Sequence, residues 1–102
     1  MLVRVVKLTF QPQYLSAFYT HFDSVKDQVA TFPGCLGMKL LADKNMPETI
    51  FTYSVWENDA ALERYRHSEL FASIWPNIKP WFAQRAEAWS LNEKFNGFIS
   101  EK

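Results

Sequence analysis

The chain has 102 residues, a length that allows one compact domain and leaves no room for a second. Eleven basic and eleven acidic residues give a formal net charge of zero, which argues against nucleic acid and anionic membranes as partners, because both select a basic surface. Hydrophobic residues make up 48% of the chain, so it can bury a core, and charged residues interrupt every apolar run before it could span a membrane.

The first two predicted elements are a strand and a long helix. Residues 2–10 are rich in Val and Leu and predict a strand, and Pro12 then suits the first turn of a helix. Residues 13–30 predict a single helix, because their apolar positions recur at spacings of three and four. The residues of this apolar face are Leu15, Phe18, Phe22, Val25 and Val29.

A tight turn and a hairpin follow the helix. Pro33 and Gly34 predict a type II turn, since proline fixes its own φ and glycine tolerates the positive φ needed next. Residues 36–42 and 50–56 read as two strands, and the short polar connection between them predicts an antiparallel hairpin. Cys35 has no partner for an internal disulfide and is typical of a reducing, cytoplasmic compartment.

The second half of the chain carries two short helices and a last strand. Asn58 and Ser68 are predicted N-caps of the two helices, and Pro76 is expected to kink or restart the second of them. Residues 87–91 predict a fourth strand. We therefore divide the chain into a domain over residues 1–92 and a tail over 93–102, whose aromatic residues suggest that part of it docks.

The order β-α-β-β-α-α-β predicts an α+β, ferredoxin-like fold with a four-stranded antiparallel sheet and helices on one face. The strands are apolar on both sides: Val3 and Val5 oppose Val6 and Leu8 along the first strand. A second apolar sheet face needs a cover, and a second copy of the chain supplies it. We expect a homodimer with two sheets face to face.

Several short strings, in their order and spacing over residues 1–92, resemble the antibiotic biosynthesis monooxygenase family of dimeric α+β barrels. These strings are FPGC at 32–35, YSVWE at 53–57, AALERY at 60–65, HSELF at 67–71 and AWS at 88–90. The resemblance implies one of two chemistries: oxidation of phenolic substrates to quinones with dioxygen and no metal or flavin, or degradation of haem.

The resemblance also implies which of these chemistries to expect. Haem degraders of the family use an Asn on strand one with a Trp and a His on the helical side, and these positions hold Lys7, Tyr65 and Trp75 here. Haem degradation is therefore not expected. Family members often carry a Glu two residues before the strand-three Trp, where this chain has Ser54.

His67 is the candidate catalytic residue. A neutral imidazole that faced a pocket could take the proton from a phenol, because its pKa lies near working pH. The alternative is a histidine that hydrogen-bonds a helix end and orients the loop, and a lone histidine favours that alternative.

A candidate substrate pocket comes from aromatic residues and one cation. Tyr53, Tyr65, Trp75 and Trp81 could line a cavity between sheet and helices, or they could simply fill the core. Lys7 and Arg4 lie on opposite sides of the first strand, so one of them must approach the helices. Lys7 could hold an anionic or phenolate oxygen there. The alternatives are that Lys7 lies at an exposed strand edge or forms a salt bridge with an acid such as Glu87.

No other motif adds chemistry. The histidines and Cys35 lack metal-site spacing, and no dinucleotide or phosphate-binding loop is present, so we expect neither metal nor cofactor. The leading hypothesis is a cofactor-independent monooxygenase for a small planar aromatic substrate. The alternative is a non-catalytic dimeric barrel that binds a small apolar ligand or acts in a stress response. A cavity with His67 pointing inward would favour the enzyme, and a filled core with His67 in solvent would favour the alternative.

Overall fold

The computed structural model describes residues 1–98, and all the predicted strands and helices are present. Two short 3-10 turns, at Pro12–Tyr14 and Lys79–Trp81, precede α1 and follow α3 respectively. The strands and helices are β1 (Leu2–Thr9), α1 (Leu15–Ala30), β2 (Cys35–Ala42), β3 (Thr49–Trp56), α2 (Asp59–Arg66), α3 (Glu69–Ile78) and β4 (Glu87–Asn92).

The four strands form one antiparallel sheet in the order β2-β3-β1-β4. In this sheet Val5, at the middle of β1, pairs with Tyr53 of β3 on one side and with Trp89 of β4 on the other. The predicted ferredoxin-like α+β fold is confirmed.

The predicted helix caps and turn are confirmed in detail. The Asn58 side chain accepts a hydrogen bond from the Ala61 amide at 2.9 Å, and the Ser68 hydroxyl accepts one from the Phe71 amide at 3.1 Å. Such caps satisfy amide groups that have no partner within the helix. Gly34 has a φ of +91°, and the Cys35 amide donates to the Phe32 carbonyl at 2.8 Å, which closes the turn before β2.

Of the kink or restart predicted at Pro76, the restart does not occur. α3 continues through Pro76 to Ile78 as one element. Proline has no N–H, so α3 lacks the hydrogen bond from residue 76 to the Ala72 carbonyl oxygen.

The two faces of the sheet have different surroundings. The helices cover one face, where Phe10 and Phe18 stack with ring centroids 4.4 Å apart over the buried Leu8 and Ile50. The other face, which we call the open face, presents half-exposed apolar side chains to solvent. These are Leu36, Leu41, Trp89 and Leu91, each between 42% and 49% exposed.

The segment after β4 has neither helix nor strand through residue 98. It borders a shallow groove on the open face together with Tyr53 and Val55, and the Lys39 ammonium lies 5.3 Å from the centre of the Phe98 ring. Phe98 remains 82% exposed, and residues 99–102 of the predicted tail, including Ile99, lie outside the described residues. No helix within residues 1–98 is long and apolar enough to cross a membrane.

Candidate functional site

A half-open cavity of about 270 Å³ lies between the covered face of the sheet and the three helices. Its sheet side includes Arg4, Val6 and Ser54, and its helix side includes Tyr65 and Trp75. Its lining is mainly apolar and aromatic, with few polar groups. This composition is typical of a site for a small, largely apolar molecule.

A continuous chain of aromatic rings forms one wall of the cavity. Trp56 of β3 stacks on Tyr65 of α2 at 5.2 Å, Tyr65 meets the edge of Phe71 at 5.3 Å, and Phe71 stacks on Trp75 at 5.8 Å. Tyr65 and Trp75 belong to different helices, and the caps at Asn58 and Ser68 set where those helices begin. Offset and edge-on ring contacts of this kind hold one another in place and leave flat surfaces for a planar ligand.

Short polar side chains supply part of the sheet side of the cavity. The Trp56 indole N–H donates to the Ser54 hydroxyl at 2.9 Å, and this hydroxyl lies 3.4 Å from the Arg4 carbonyl oxygen. Both Trp56 and Ser54 are buried. Ser54 therefore satisfies the indole.

Two arginines add positive charge at one end of the cavity. Arg4 Nη1 donates to the Ser90 hydroxyl on the adjacent β4 at 2.9 Å. Arg66, the last residue of α2, pairs with Glu63 at 2.9 Å. Partial burial lowers the pKa of Arg4, the positive charge of Arg66 lowers it further, and Glu63 opposes the change.

Tyr65 places a phenol hydroxyl at the edge of the cavity. Its burial raises the pKa of the phenol to about 12, with a smaller contribution from Cys35. The hydroxyl is therefore neutral at physiological pH and serves as a hydrogen-bond donor or acceptor rather than as an anionic base.

The predicted catalytic residue, His67, lies outside this cavity. Its side chain is 77% exposed, and Nδ1 lies 2.9 Å from the Glu63 carbonyl oxygen one turn back in α2. This is the helix-end hydrogen bond that the alternative interpretation of His67 describes. No histidine of residues 1–98 lines the cavity.

The structure brings together two of the five predicted substrate-binding residues, Tyr65 and Trp75. Tyr53 borders the groove on the open face instead. Lys7 lies opposite Phe51 of β3 and Glu87 of β4 in the strand register, and it does not border the cavity. Trp81 stacks on Tyr14 with centroids 6.1 Å apart, below the end of α3.

The sequence-based predictions prefer Lys7 to Arg4, name Ser54 only as a departure from the family pattern, and give Arg66 no role. Arg4 shares its side of β1 with Leu2, Val6 and Leu8, and this side is the more continuous apolar one. That pattern was the available signal that Arg4, and not Lys7, faces the helices. Arg66 carries no comparable signal, because its position at the cavity depends on how α2 crosses the sheet.

The other reactive groups of the described residues form no further centre. Cys35 is half-buried, its Sγ lies 3.6 Å from the Gly37 carbonyl oxygen, and burial raises the pKa of its thiol. A raised pKa leaves the thiol protonated and weakly nucleophilic. Within residues 1–98 no group of three His, Cys, Asp or Glu side chains is arranged to hold a metal ion.

The fold and the cavity define an α+β domain of ferredoxin-like topology with an aromatic pocket between sheet and helices. The sequence profile of the antibiotic biosynthesis monooxygenase family matches residues 1–74. The chain belongs to this family. A search of curated proteins finds no match to the sequence.

Solved structures share the fold at low sequence identity. A crystallised antibiotic biosynthesis monooxygenase superposes with a TM-score of 0.86 at 19% identity, over 91% of this chain and 98% of that one. A conserved protein from Methanosarcina mazei Go1 gives 0.85 at 20% identity, over 92% and 94% of the two chains. PA3566 from Pseudomonas aeruginosa gives 0.80 at 22% identity, over 90% and 92%.

Proposed function

We propose that this protein is a cofactor-independent monooxygenase that binds a small planar aromatic molecule, phenolic or quinol-like, and oxidises it with dioxygen. The observation that carries the proposal is the cavity of about 270 Å³ with its wall of stacked rings in a member of this family. A site built around planar surfaces selects a planar ligand, since stacking and edge contacts add to apolar burial.

The proposed reaction needs no external reductant. A ring methylene flanked by ionised phenol groups passes electrons to dioxygen and becomes a carbonyl, giving up four electrons in total. One oxygen atom stays in the quinone product, and the other leaves as water with the two methylene hydrogens. The role proposed for Trp56, Tyr65 and Trp75 is to orient the ring and exclude water from the reacting carbon.

The test is oxygen uptake with a panel of anthrones and dihydroxyanthracenes, with quinone formation followed by absorbance. We expect one dioxygen consumed per quinone formed from an anthrone. Val25→Trp should block the reaction, because Val25 borders the cavity on α1, whereas Thr20→Trp adds the same ring at an exposed site of the same helix. No uptake with any member of the panel would refute the proposal.

The same assay tests His67 as the proton acceptor. Because the imidazole lies outside the cavity, we expect His67→Ala to leave the rate unchanged. A loss of rate in this variant, with the fold intact by circular dichroism, would restore His67 to the mechanism and require the α2–α3 junction to move when substrate binds.

A non-catalytic barrel that binds a small apolar ligand is the second candidate. The observation that favours it is the exposed position of His67, since no imidazole borders the cavity within residues 1–98 to deprotonate a phenol. Tight binding of the aromatic panel without oxygen uptake would support this candidate over the enzyme.

We further propose that two copies of the chain pair through their open faces. Trp89, Leu91 and Leu41 are large apolar side chains that are nearly half exposed on this face. A surface of this kind is covered at lower free energy by an identical surface across a two-fold axis than by water.

Light scattering with matched aromatic variants tests the dimer. We expect the protein to be dimeric at micromolar concentration and Trp89→Lys to make it monomeric. Tyr19→Lys is the control, because Tyr19 lies on α1 and is 40% exposed against 42% for Trp89. A stable wild-type monomer, or equal effects of the two variants, would contradict the proposal.

A further inference from the structure

Two arginines border one end of the cavity, and within residues 1–98 only Arg66 of the two is in an ion pair. Arg66 is paired with Glu63 at 2.9 Å. No carboxylate of residues 1–98 lies within 4.0 Å of Arg4, although Glu87 borders the same cavity. A half-buried cation without an anionic partner is costly, so the cavity favours a ligand that brings the missing negative charge.

The Arg4 guanidinium is positioned for such a ligand. Ser90 accepts a hydrogen bond from Nη1 at 2.9 Å and ties the end of the side chain to β4. A guanidinium has five N–H donors in a fixed plane, so this contact leaves donors for a second acceptor. The lowered pKa of Arg4 has burial as its main cause and the charge of Arg66 as its second, and an anion beside Arg4 opposes both by stabilising the charged guanidinium.

We propose that the cavity binds an anionic aromatic ligand, with the ionised oxygen of a carboxylate or phenolate held by Arg4 and the ring placed among Phe71, Trp75 and Val6. The inference rests on the proposed function for the presence of a substrate in this cavity, and it adds the charge that the substrate carries. A void of about 150 Å³ already holds benzene. The cavity here, at about 270 Å³, has room for a larger ring system.

Arg4 also offers a way to ionise a bound phenol without a histidine in the cavity. A cation beside a bound phenol stabilises the phenolate and lowers the pKa of the phenol, so the proton leaves to solvent through the open side of the cavity. A site of this kind ionises its substrate by electrostatics and needs no imidazole in the cavity.

The experiment measures binding by calorimetry under anaerobic conditions, so that it does not depend on oxidation. The probes are 2-naphthoate and 2-naphthamide, which have nearly the same shape and differ in charge. We expect naphthoate to bind at least about tenfold more tightly, since hydrogen bonds to a charged group exceed neutral ones by this order. Equal binding of the two probes to the wild-type protein, or binding of neither, would overturn the proposal.

Variants then assign the preference to Arg4. Arg4→Met should reduce naphthoate binding to the level of naphthamide, and Arg4→Lys should recover part of it, because lysine keeps the charge without the planar fork. Arg64→Met is the matched control, since Arg64 lies in α2 two residues before Arg66 and does not border the cavity. A preference for naphthoate that survives Arg4→Met, or that Arg64→Met reduces equally, would overturn the assignment.

A second probe separates the two sources of the ionised oxygen. Bound 2-naphthol should show the absorbance of naphtholate at a pH where the free phenol is protonated, and Arg4→Met should abolish this shift. Naphtholate formation identifies a phenolate ligand, and naphthoate binding without it identifies a carboxylate. Naphthoate binding through Arg4 without oxygen uptake on any substrate would leave the inference standing and refute the monooxygenase proposal.

Discussion

Removing the Ser54 hydroxyl tests whether the buried polar pair beneath the cavity stabilises the fold. Trp56 is 1% exposed and its indole N–H donates to Ser54, which is itself 7% exposed. Ser54→Ala leaves this N–H buried without its acceptor, and an unsatisfied buried donor costs about 1–3 kcal/mol. For a domain of this length, each kcal/mol lowers Tm by roughly 4–8 °C.

The assay is urea unfolding followed by tryptophan fluorescence, at one fixed protein concentration because subunit association also affects stability. Ser73→Ala is the control: its hydroxyl donates to the Leu70 carbonyl at 2.7 Å on the exposed side of α3. We expect the control to change the free energy of unfolding by less than about 0.5 kcal/mol.

A double-mutant cycle with Trp56→Phe isolates the hydrogen bond from other effects of the serine. Phenylalanine has no N–H, so Ser54→Ala should cost less in the Trp56→Phe background than in the wild type. Additive effects of the two substitutions, or a Ser54→Ala variant as stable as the Ser73→Ala control, would refute the assignment of stability to this pair.

Two further predictions concern the turn before β2 and the buried phenol. Gly34→Ala should destabilise the protein by about 2 kcal/mol or more in urea unfolding, because the residue has a φ of +91° and an added Cβ would overlap that of Ala61; an unchanged midpoint would contradict this. The Tyr65 pKa of about 12 lies above the value near 10 in the unfolded chain. The contribution of Tyr65 to the free energy of unfolding is therefore present below about pH 10 and is lost as pH rises through about 12. The wild type should lose on the order of 2 kcal/mol relative to Tyr65→Phe across that range, and parallel pH profiles would exclude the effect.

Local patterns predicted the fold because each element carries its own signal. The spacing of apolar residues in α1, the capping residues Asn58 and Ser68, and the Pro33–Gly34 turn depend on the chemistry of neighbouring residues only. Pro76 shows the limit of such signals, since proline disfavours a helix interior and α3 nevertheless continues through it to Ile78.

The site was predictable only in part. Whether a side chain borders the cavity depends on which side of its strand it occupies and on how helices distant in sequence pack over the sheet. Tyr53 and Ser54 are neighbours in β3, yet one borders the open-face groove and the other the cavity. A strand alternates sides at every residue, so an error of one position reverses the assignment. The same parity separates Lys7 from Arg4 on β1.

His67 illustrates a different limit. It is the residue after α2, and its direction is set by a hydrogen bond back to the Glu63 carbonyl. Nothing in the spacing of residues indicates whether a side chain at a helix end turns toward a neighbouring cavity or back onto its own helix. A histidine that caps carbonyls is common at such positions, because its ring N–H groups are donors that the last turn of a helix lacks.

The composition of the cavity lining argues that the space has a use. The chain has seventeen aromatic residues, and the rings of Phe71 and Trp75 stack beside the cavity. The sequence is therefore rich in bulky side chains of the kind that could fill the cavity. Yet the lining of the cavity includes Ala86 just before β4, Ala88 on β4 and Ser54 on β3. A void in a core costs stability in proportion to its volume, and enlarging either alanine would reduce that cost. A sequence that keeps small residues opposite large flat ones, beside an arginine that forms no ion pair within residues 1–98, has the arrangement expected of a pocket shaped for a planar anion.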